Sequence, residues 1–219
     1  MRNKKLLLQP RSKEEIYGPA LTKAKRDIAA LDPWEAAFKA AVDYRETGEG
    51  QGEWSVLFWN KRYKVTYPDG KVTEEDTGAV PPFSTLLIIL HYLINADGTP
   101  LAEHWVSFRE FPGGQGYWPV FQGRTALKLA KTFGRDKEAF EKAARVLGGE
   151  KLSFGDSSFL FRMFPRLWMA VVLNLADEEF GPSVQVLFDG SAGHYLPTED
   201  LVILGEMLTH RLIREAQKG

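Results

Sequence analysis

Apolar and polar positions follow two different periods along this chain, and the periods predict its helices and strands. Residues 83–94 are almost continuously apolar and end at a turn-forming run, which predicts a buried central helix. Helical spacing of apolar residues also predicts helices over residues 125–133 and 136–147 and a closing helix from Thr198 onward. Runs rich in aromatic and β-branched residues predict strands over residues 54–59, 63–67, 159–164, 167–175 and 184–188.

Capping and turn residues set the expected boundaries of several elements. Asp32 and Pro33 are typical of a helix start, because aspartate caps free backbone N–H groups and proline suits the first turn. The glycine-rich run 47–52 predicts the end of this helix. Residues 104–111 alternate like a strand, and the glycine-rich residues 111–118 predict a loop after it.

The order of the elements indicates the fold class. Strands cluster in two groups that are separated by helices, whereas a doubly wound parallel fold would alternate strands with helices. The sequence therefore predicts an α+β fold, with an antiparallel or mixed sheet and helices packed mainly on one face. Residues 1–16 are expected to be a flexible N-terminal tail, and residues 17–219 a single domain.

The apolar faces of these elements predict the core. Eight side chains that lie on an apolar face or within an apolar run are expected to be mostly buried: Trp34, Phe38, Leu87, Leu90, Trp168, Val171, Val186 and Leu204.

Composition narrows the classes of function. The 219 residues carry a formal net charge of -1, so the basic excess typical of nucleic-acid binding is missing, and no nucleic-acid partner is expected. The chain contains no cysteine, which excludes disulfides, thiolate catalysis and an iron–sulfur cluster. The longest apolar run is too short to span a membrane, so a soluble, cytoplasmic protein without a membrane partner is expected.

The first group of candidate site residues surrounds the glycine-rich segment 111–118. Gly114 and its neighbouring glycines would let the backbone approach a ligand closely. Tyr117 and Trp118 would stack on a flat molecule, and Arg109 would meet a negative group. The segment lacks the spacing of a phosphate-binding loop or of a dinucleotide fingerprint. It is therefore a candidate binding site for a small molecule, with a surface turn as the structural alternative.

A second group lies in the segment 189–195, which follows a predicted strand. Asp189 and His194 could act with a carboxylate from residues 177–179 in acid–base catalysis, or His194 could bind a ligand directly. Arg166 could hold a carboxylate or a phosphate. We expect the segments 109–118 and 189–195 to gather at one end of the sheet and to share a cleft.

Several segments together resemble a known family. These are residues 108–110 (Phe-Arg-Glu), 164–166 (Phe-Pro-Arg), 177–180 (Asp-Glu-Glu-Phe) and 187–201. In this order they resemble the family described as domain of unknown function 3786, found mainly in anaerobic bacteria and archaea. The resemblance carries no established activity. Some relatives have a cysteine-rich segment and are labelled corrinoid or iron–sulfur proteins, so the resemblance implies an association with corrinoids or other tetrapyrroles.

Three functions from different classes follow from these observations. The first is a binding module for a flat or anionic small molecule, such as a corrinoid or another tetrapyrrole. The second is a hydrolase or transferase that uses Asp189 and His194 with a nearby carboxylate. The third is an accessory subunit that binds another protein.

Overall fold

The structure, a computed structural model, describes residues 13–218. The α-helices of this part are α1 Lys13–Ala29, α2 Pro33–Ala40, α3 Phe83–Asn95, α4 Gly114–Arg124, α5 Ala126–Phe133, α6 Lys137–Val146 and α7 Thr198–Ala216. The strands are β1 Asp43–Gly48, β2 Gln51–Phe58, β3 Lys61–Tyr67, β4 Val72–Glu74, β5 Trp105–Ser107, β6 Glu150–Leu152, β7 Ser157–Phe164, β8 Leu167–Asn174 and β9 Ser183–Asp189. The expected N-terminal tail covers residues 1–16, and residues 1–12 of it lie outside the described part of the chain.

The strands form two antiparallel sheets. The smaller sheet has the order β1-β2-β3-β4, in which each strand pairs with the next one along the chain. The larger sheet has the order β5-β9-β8-β7-β6, so its edge strand β5 comes from a distant part of the sequence. The predicted α+β class is confirmed, and the two groups of strands seen in the sequence correspond to two separate sheets.

Aromatic side chains join the two sheets to the central helix. The rings of Phe58 in β2 and Phe164 in β7 have centroids 4.7 Å apart. Tyr92 of α3 lies face to face with Phe164, with centroids 4.0 Å apart and ring planes 6° from parallel. Offset-stacked rings of this kind add stability beyond that of apolar burial alone. The run 83–94 was therefore correctly predicted as a buried central helix.

Helix α2 begins where the sequence predicts but ends earlier. The side chain of Asp32 accepts hydrogen bonds from the backbone N–H groups of Trp34 and Glu35, at 3.0 and 2.9 Å. The helix ends at Ala40, because Ala41 is in the left-handed region with a φ of 53°. The prediction that residues 47–52 end this helix is wrong, since this run instead contains the end of β1, the turn at residues 49–50 and the start of β2.

The prediction that Trp34 and Phe38 are buried is also wrong. Their side chains are 56% and 77% exposed. The buried face of α2 consists of three alanines, Ala36, Ala37 and Ala40. Small side chains allow the helix to approach its neighbours closely, so the large aromatic residues of the other face remain outside the core.

The other residues predicted for the core fall into two groups. Leu90, Val171, Val186 and Leu204 are buried, as predicted. Leu87 and Trp168 are only partly buried. Trp168 belongs to the outer face of the larger sheet, where the Arg162 guanidinium lies 4.9 Å from the centroid of its ring.

Two expected boundaries around the candidate site change. Residues 104–111 do not form one long strand, because β5 ends at Ser107 and a short 3-10 helix, Phe108–Glu110, follows. The expected loop over residues 111–118 is wrong from Gly114 onward, where α4 begins. Three glycines and Pro119 disfavour a helix here, but Phe121 of α4 is fully buried and stacks on Phe108 at 4.3 Å. Tertiary packing therefore overrides the weak local propensity.

We expect Leu90→Ala to lower the free energy of unfolding by about 2–5 kcal/mol, because Leu90 is 0% exposed and its loss leaves a cavity. Urea denaturation would measure this change. Leu127→Ala is the matched control on an exposed helix position (63% exposed) and should stay within about 0.5 kcal/mol of the parent protein. Equal stability of both variants would show that α3 is not the core helix.

Candidate functional site

The two segments that were expected to share a cleft are neighbours in the structure. Trp105 pairs with Asp189 in the ladder between β5 and β9. The Phe111 ring packs edge-on against Phe188, with centroids 5.6 Å apart. A Cβ atom added at Gly193 would lie 3.4 Å from the Phe111 ring. The side chains predicted to bind a ligand nevertheless point to three different places.

Arg109 and Trp118 lie together in a pocket at the edge of the larger sheet, which we call the sheet-edge pocket. Its volume is about 340 Å³, and Trp105, Glu110 and Gln185 also line it. The Arg109 guanidinium lies 5.9 Å from the centroid of the Trp118 ring. Arg109 makes no ion pair with any of the described residues, so its charge is available at the mouth of this pocket.

The geometry of the sheet edge adds backbone groups to this pocket. Strand β5 pairs only with residues 187–189 of β9, through the register Ser107 with Leu187. No strand in the described part of the chain covers β9 on that side at Gln185 and Val186, which line the pocket. An uncovered strand edge presents backbone N–H and C=O groups that can bind a ligand.

Trp105 and Gln185 were missed in the sequence analysis. In the strand predicted over residues 104–111, Trp105 and Arg109 would share a face, because every second residue of a strand points to the same side. That spacing was a usable signal for Trp105. The position of Gln185 depends on the pairing of β9 with β5, which the sequence does not encode locally.

Tyr117 lies in a second cavity, a groove of about 430 Å³ between α4 and α7. Phe108 and Val202 contribute apolar surface to this groove. At its rim the Arg124 guanidinium forms an ion pair with Glu206, at 2.9 Å, and lies 5.9 Å from the centroid of the Tyr117 ring. The positive charge of Arg124 is therefore already compensated within the protein.

Gly114 has a structural role that requires glycine. A Cβ atom at this position would lie 2.2 Å from the carbonyl oxygen of Phe108. The preceding residue, Gly113, has a φ of 74°, which side-chain-bearing residues rarely adopt. The two glycines together let the chain turn sharply from the 3-10 helix into α4.

Asp189 is buried and holds the backbone of two loops. Its carboxylate accepts hydrogen bonds from the backbone N–H groups of Ala102, Glu103 and Ser191, at 2.8, 2.9 and 2.9 Å. It also accepts a hydrogen bond from the Ser191 hydroxyl at 2.6 Å. These four bonds occupy both carboxylate oxygens, so the contacts of Asp189 are those of a loop-stabilising residue. None of them is to His194.

His194 pairs with a carboxylate that the sequence analysis did not consider. Its Nδ1 atom lies 2.6 Å from Oδ2 of Asp97 and 3.2 Å from the Thr99 hydroxyl. Partial burial raises the pKa of Asp97, but hydrogen bonds from Thr99 and His194 outweigh this effect and lower the pKa to about 2. Both side chains of the pair are 49% exposed.

Arg166 reaches the same loop from the turn between β7 and β8. Its guanidinium donates a hydrogen bond to the carbonyl oxygen of Gly98, and its backbone N–H donates to the Tyr92 hydroxyl at 3.2 Å. The Tyr195 hydroxyl donates to the carbonyl oxygen of Thr99. Burial raises the pKa of Tyr195, and the neighbouring Arg166 partly opposes this effect. Arg166 and His194 therefore meet at residues 97–99, away from the sheet-edge pocket.

Residues 177–179 belong to a charged turn between β8 and β9. Oδ1 of Asp177 accepts hydrogen bonds from the backbone N–H groups of Glu179 and Phe180, at 2.9 and 2.6 Å. Within residues 13–218, no group of three or more His, Asp or Glu side chains is arranged to hold a metal ion. The same part of the chain contains no helix that is long and apolar enough to cross a membrane.

Fold and pockets together define an α+β protein with two antiparallel sheets and a ligand-sized pocket at the edge of the larger one. The chain belongs to the family described as domain of unknown function (DUF3786), whose model matches residues 32–211. The family resemblance seen in the sequence is thereby confirmed. No curated protein and no solved structure matches the chain.

We expect Gly114→Ala to lower the free energy of unfolding by about 1–3 kcal/mol, because the new methyl group collides with the Phe108 carbonyl oxygen. Gly116→Ala is the matched control in the same helix, since no atom lies within 4 Å of its added Cβ. That variant should be more stable than the parent by about 0.5–1 kcal/mol. Urea denaturation of both variants tests the close approach, and a neutral effect of Gly114→Ala would contradict it.

The lowered pKa of Asp97 predicts a pH-dependent contribution to stability. A carboxyl group whose pKa falls on folding, here from 3.8 to about 2, stabilises the folded state above pH 3.8. That stabilisation is lost as the pH falls through about 2. We expect Asp97→Asn to lower the free energy of unfolding at pH 7 by about 0.2–1 kcal/mol, the range for exposed ion pairs.

Urea denaturation of Asp97→Asn and the parent protein at pH 7, 5, 3 and 2 measures this dependence. The difference between them should be smaller at pH 3 than at pH 7 and smaller again at pH 2, where about half of the folded protein still has Asp97 ionised. Leu127→Ala, an exposed neutral substitution, serves as the control and should differ from the parent equally at every pH. A difference between Asp97→Asn and the parent that does not change with pH would refute the pairing of Asp97 with His194.

Proposed function

We propose that this protein is a binding module for a flat, negatively charged small molecule, and that the ligand occupies the sheet-edge pocket. The observation that carries the proposal is the position of Arg109 beside two indole rings, those of Trp105 and Trp118, without an ion pair among the described residues. Large apolar rings beside one available charge are typical of small-molecule sites.

The chemistry of the pocket favours a planar anion. An aromatic ligand can stack on Trp118, while its negative group accepts hydrogen bonds from Arg109. Glu110 also lines the pocket, but its Oε1 atom is held by the Ser107 backbone N–H at 2.7 Å, and it makes no ion pair with Arg109. The uncovered edge of β9 at Gln185 can hydrogen-bond to polar substituents of the same ligand.

The family resemblance suggests tetrapyrroles as the first ligands to test. A haem carries two carboxylates on the rim of a flat macrocycle, and the volume of about 340 Å³ is enough to receive that rim rather than the whole ring. A small planar carboxylate would fit entirely within the pocket. Haem and a small planar carboxylate, used as two separate probes, therefore distinguish a tetrapyrrole site from a site for smaller planar anions.

The two alternatives receive less support. Acid–base catalysis by Asp189 and His194 would need a carboxylate that is free to act, whereas all the contacts of Asp189 stabilise loops. A protein-binding role would draw on the exposed Trp34 and Phe38, but these side chains give no charge pattern that identifies a partner. We further propose that the binding module works in the cytoplasm, as expected from the sequence.

The test is a titration of the 219-residue chain with haem, cobalamin and naphthalene-2-carboxylate. Binding is monitored by tryptophan fluorescence and, for the two tetrapyrroles, also by absorbance. We expect saturable quenching by at least one of these probes. Arg109→Ala should weaken that binding about tenfold or more, because a hydrogen bond to a charged group contributes about 1.5–3 kcal/mol. Trp118→Ala should weaken it by a similar or smaller factor through lost stacking.

Tyr117→Ala is the control variant. Tyr117 is adjacent to Trp118 in the sequence but lines the groove between α4 and α7, so its loss should leave the affinity unchanged. Absence of binding for all three probes would count against the proposal. Binding that is equally strong in the Arg109 and Trp118 variants would place the ligand elsewhere.

A further inference from the structure

A buried carboxylate that does not line the sheet-edge pocket has no role in the proposed site. Asp200 lies in the first turn of α7, and its side chain is only 6% exposed. Its Oδ2 atom lies 2.5 Å from Nδ1 of His91 on α3. The other oxygen, Oδ1, has no hydrogen-bond partner among the described residues. Oδ1 is not among the fully buried side-chain atoms that lack a partner in the described part of the chain, so this oxygen reaches the surface and is open to a ligand.

Asp200 also lines a cavity of about 380 Å³ between α3 and α7, which we call the α3–α7 cleft. The other walls of the cleft are almost entirely apolar and are formed by Pro82, Phe83, Leu87, Ile88 and Ile203, with one hydroxyl group from Ser84. No lysine or arginine lines it. The cleft therefore combines an apolar body with a single negative group, and its volume lies within the ~300–1,000 Å³ range of small-molecule sites.

This combination specifies the chemistry of a ligand. An apolar molecule would be driven into the cleft by burial of its surface, and a cationic head group would be attracted to Asp200. An anion of the same shape would be repelled by the carboxylate. A neutral molecule would gain the burial but not the charge-assisted hydrogen bond. The pattern is the reverse of the sheet-edge pocket, where the available charge is positive.

We propose that the α3–α7 cleft binds an organic amine with an apolar body, whose ammonium group donates a hydrogen bond to Asp200. His91 acts as a positioning residue, because its bond to Oδ2 fixes the carboxylate and leaves Oδ1 for the ligand. The cleft and the sheet-edge pocket share no lining residue, so this site is independent of the proposed function.

The test uses three probes of nearly equal shape and different charge: 2-phenylethylamine, 2-phenylethanol and 3-phenylpropanoate. Each is titrated into the full-length, isotope-labelled protein, and amide chemical shifts of α3 and α7 are followed. We expect the amine to bind most tightly, the alcohol about tenfold or more weakly, and the anion not at all. Equal affinity for amine and alcohol would overturn the proposal, as would no binding of the amine at millimolar concentration.

Two variants locate the site. Asp200→Asn keeps the shape of the side chain but removes its charge, and it should weaken amine binding about tenfold or more. Leu87→Trp fills the cleft while leaving the Asp200–His91 pair in place, and it should abolish binding. The Leu87 variant decides the question if Asp200→Asn does not fold. Leu127→Ala, on the exposed face of α5, should bind the amine like the parent, and unchanged binding in Leu87→Trp would refute the site.

The same titrations test whether the sheet-edge pocket and the α3–α7 cleft bind their ligands independently. Trp118→Ala should bind the amine normally, because Trp118 lines the sheet-edge pocket and not the α3–α7 cleft. Failure of the planar anions to bind would therefore count against the proposed function without affecting the amine site. Loss of amine binding in Trp118→Ala would contradict the independence of the two sites.

Discussion

The side chain of Tyr92 is stacked between the rings of Phe164 and Tyr195, with centroids 4.0 and 5.4 Å away, and the arrangement of the whole molecule depends on this contact. Phe164 ends strand β7 of the larger sheet, and Tyr195 lies three residues before Thr198, the first residue of α7. The Tyr92 hydroxyl donates to the carbonyl oxygen of Ala40 at 2.8 Å and accepts from the backbone of Arg166. Burial raises the pKa of Tyr92, so the hydroxyl remains a neutral donor. One residue thus connects α2, α3, β7 and the approach to α7.

The packing around this aromatic stack explains why some polar groups of the protein are available to bind a ligand and others are not. The carboxylate of Asp189 and the guanidinium of Arg166 look like ligand-binding groups in the sequence, but both bond to backbone groups that hold loops around the aromatic stack. Arg109 and Asp200 lie at its periphery, where the packing leaves part of each group without a protein partner. The polar groups available for binding are therefore those whose hydrogen-bonding capacity is not taken up by contacts within the protein.

The sequence predicted an element correctly where one hydrophobic period or one helix-capping residue determined that element. The buried helix over residues 83–94, the cap at Asp32 and the three central strands of the larger sheet, β7, β8 and β9, follow from local patterns. The position of α4 did not, because its glycines and proline oppose a helix and the packing of Phe121 against Phe108 and Phe188 stabilises it. The partner of His194 could not be predicted from the sequence either, since Asp97 lies 97 residues away in a loop without a distinguishing pattern.

Two pairs of aspartate and histidine connect α3 and the loop after it with the segment that leads into α7. His91 pairs with Asp200 across 109 residues, and Asp97 pairs with His194 across 97. Closing such long stretches of chain costs entropy before any contact is gained, so contacts of this kind slow folding. During synthesis, α3 leaves the ribosome long before Asp200 on α7 has been made. The surroundings of this central helix are therefore complete only after a further 109 residues beyond His91 have been added.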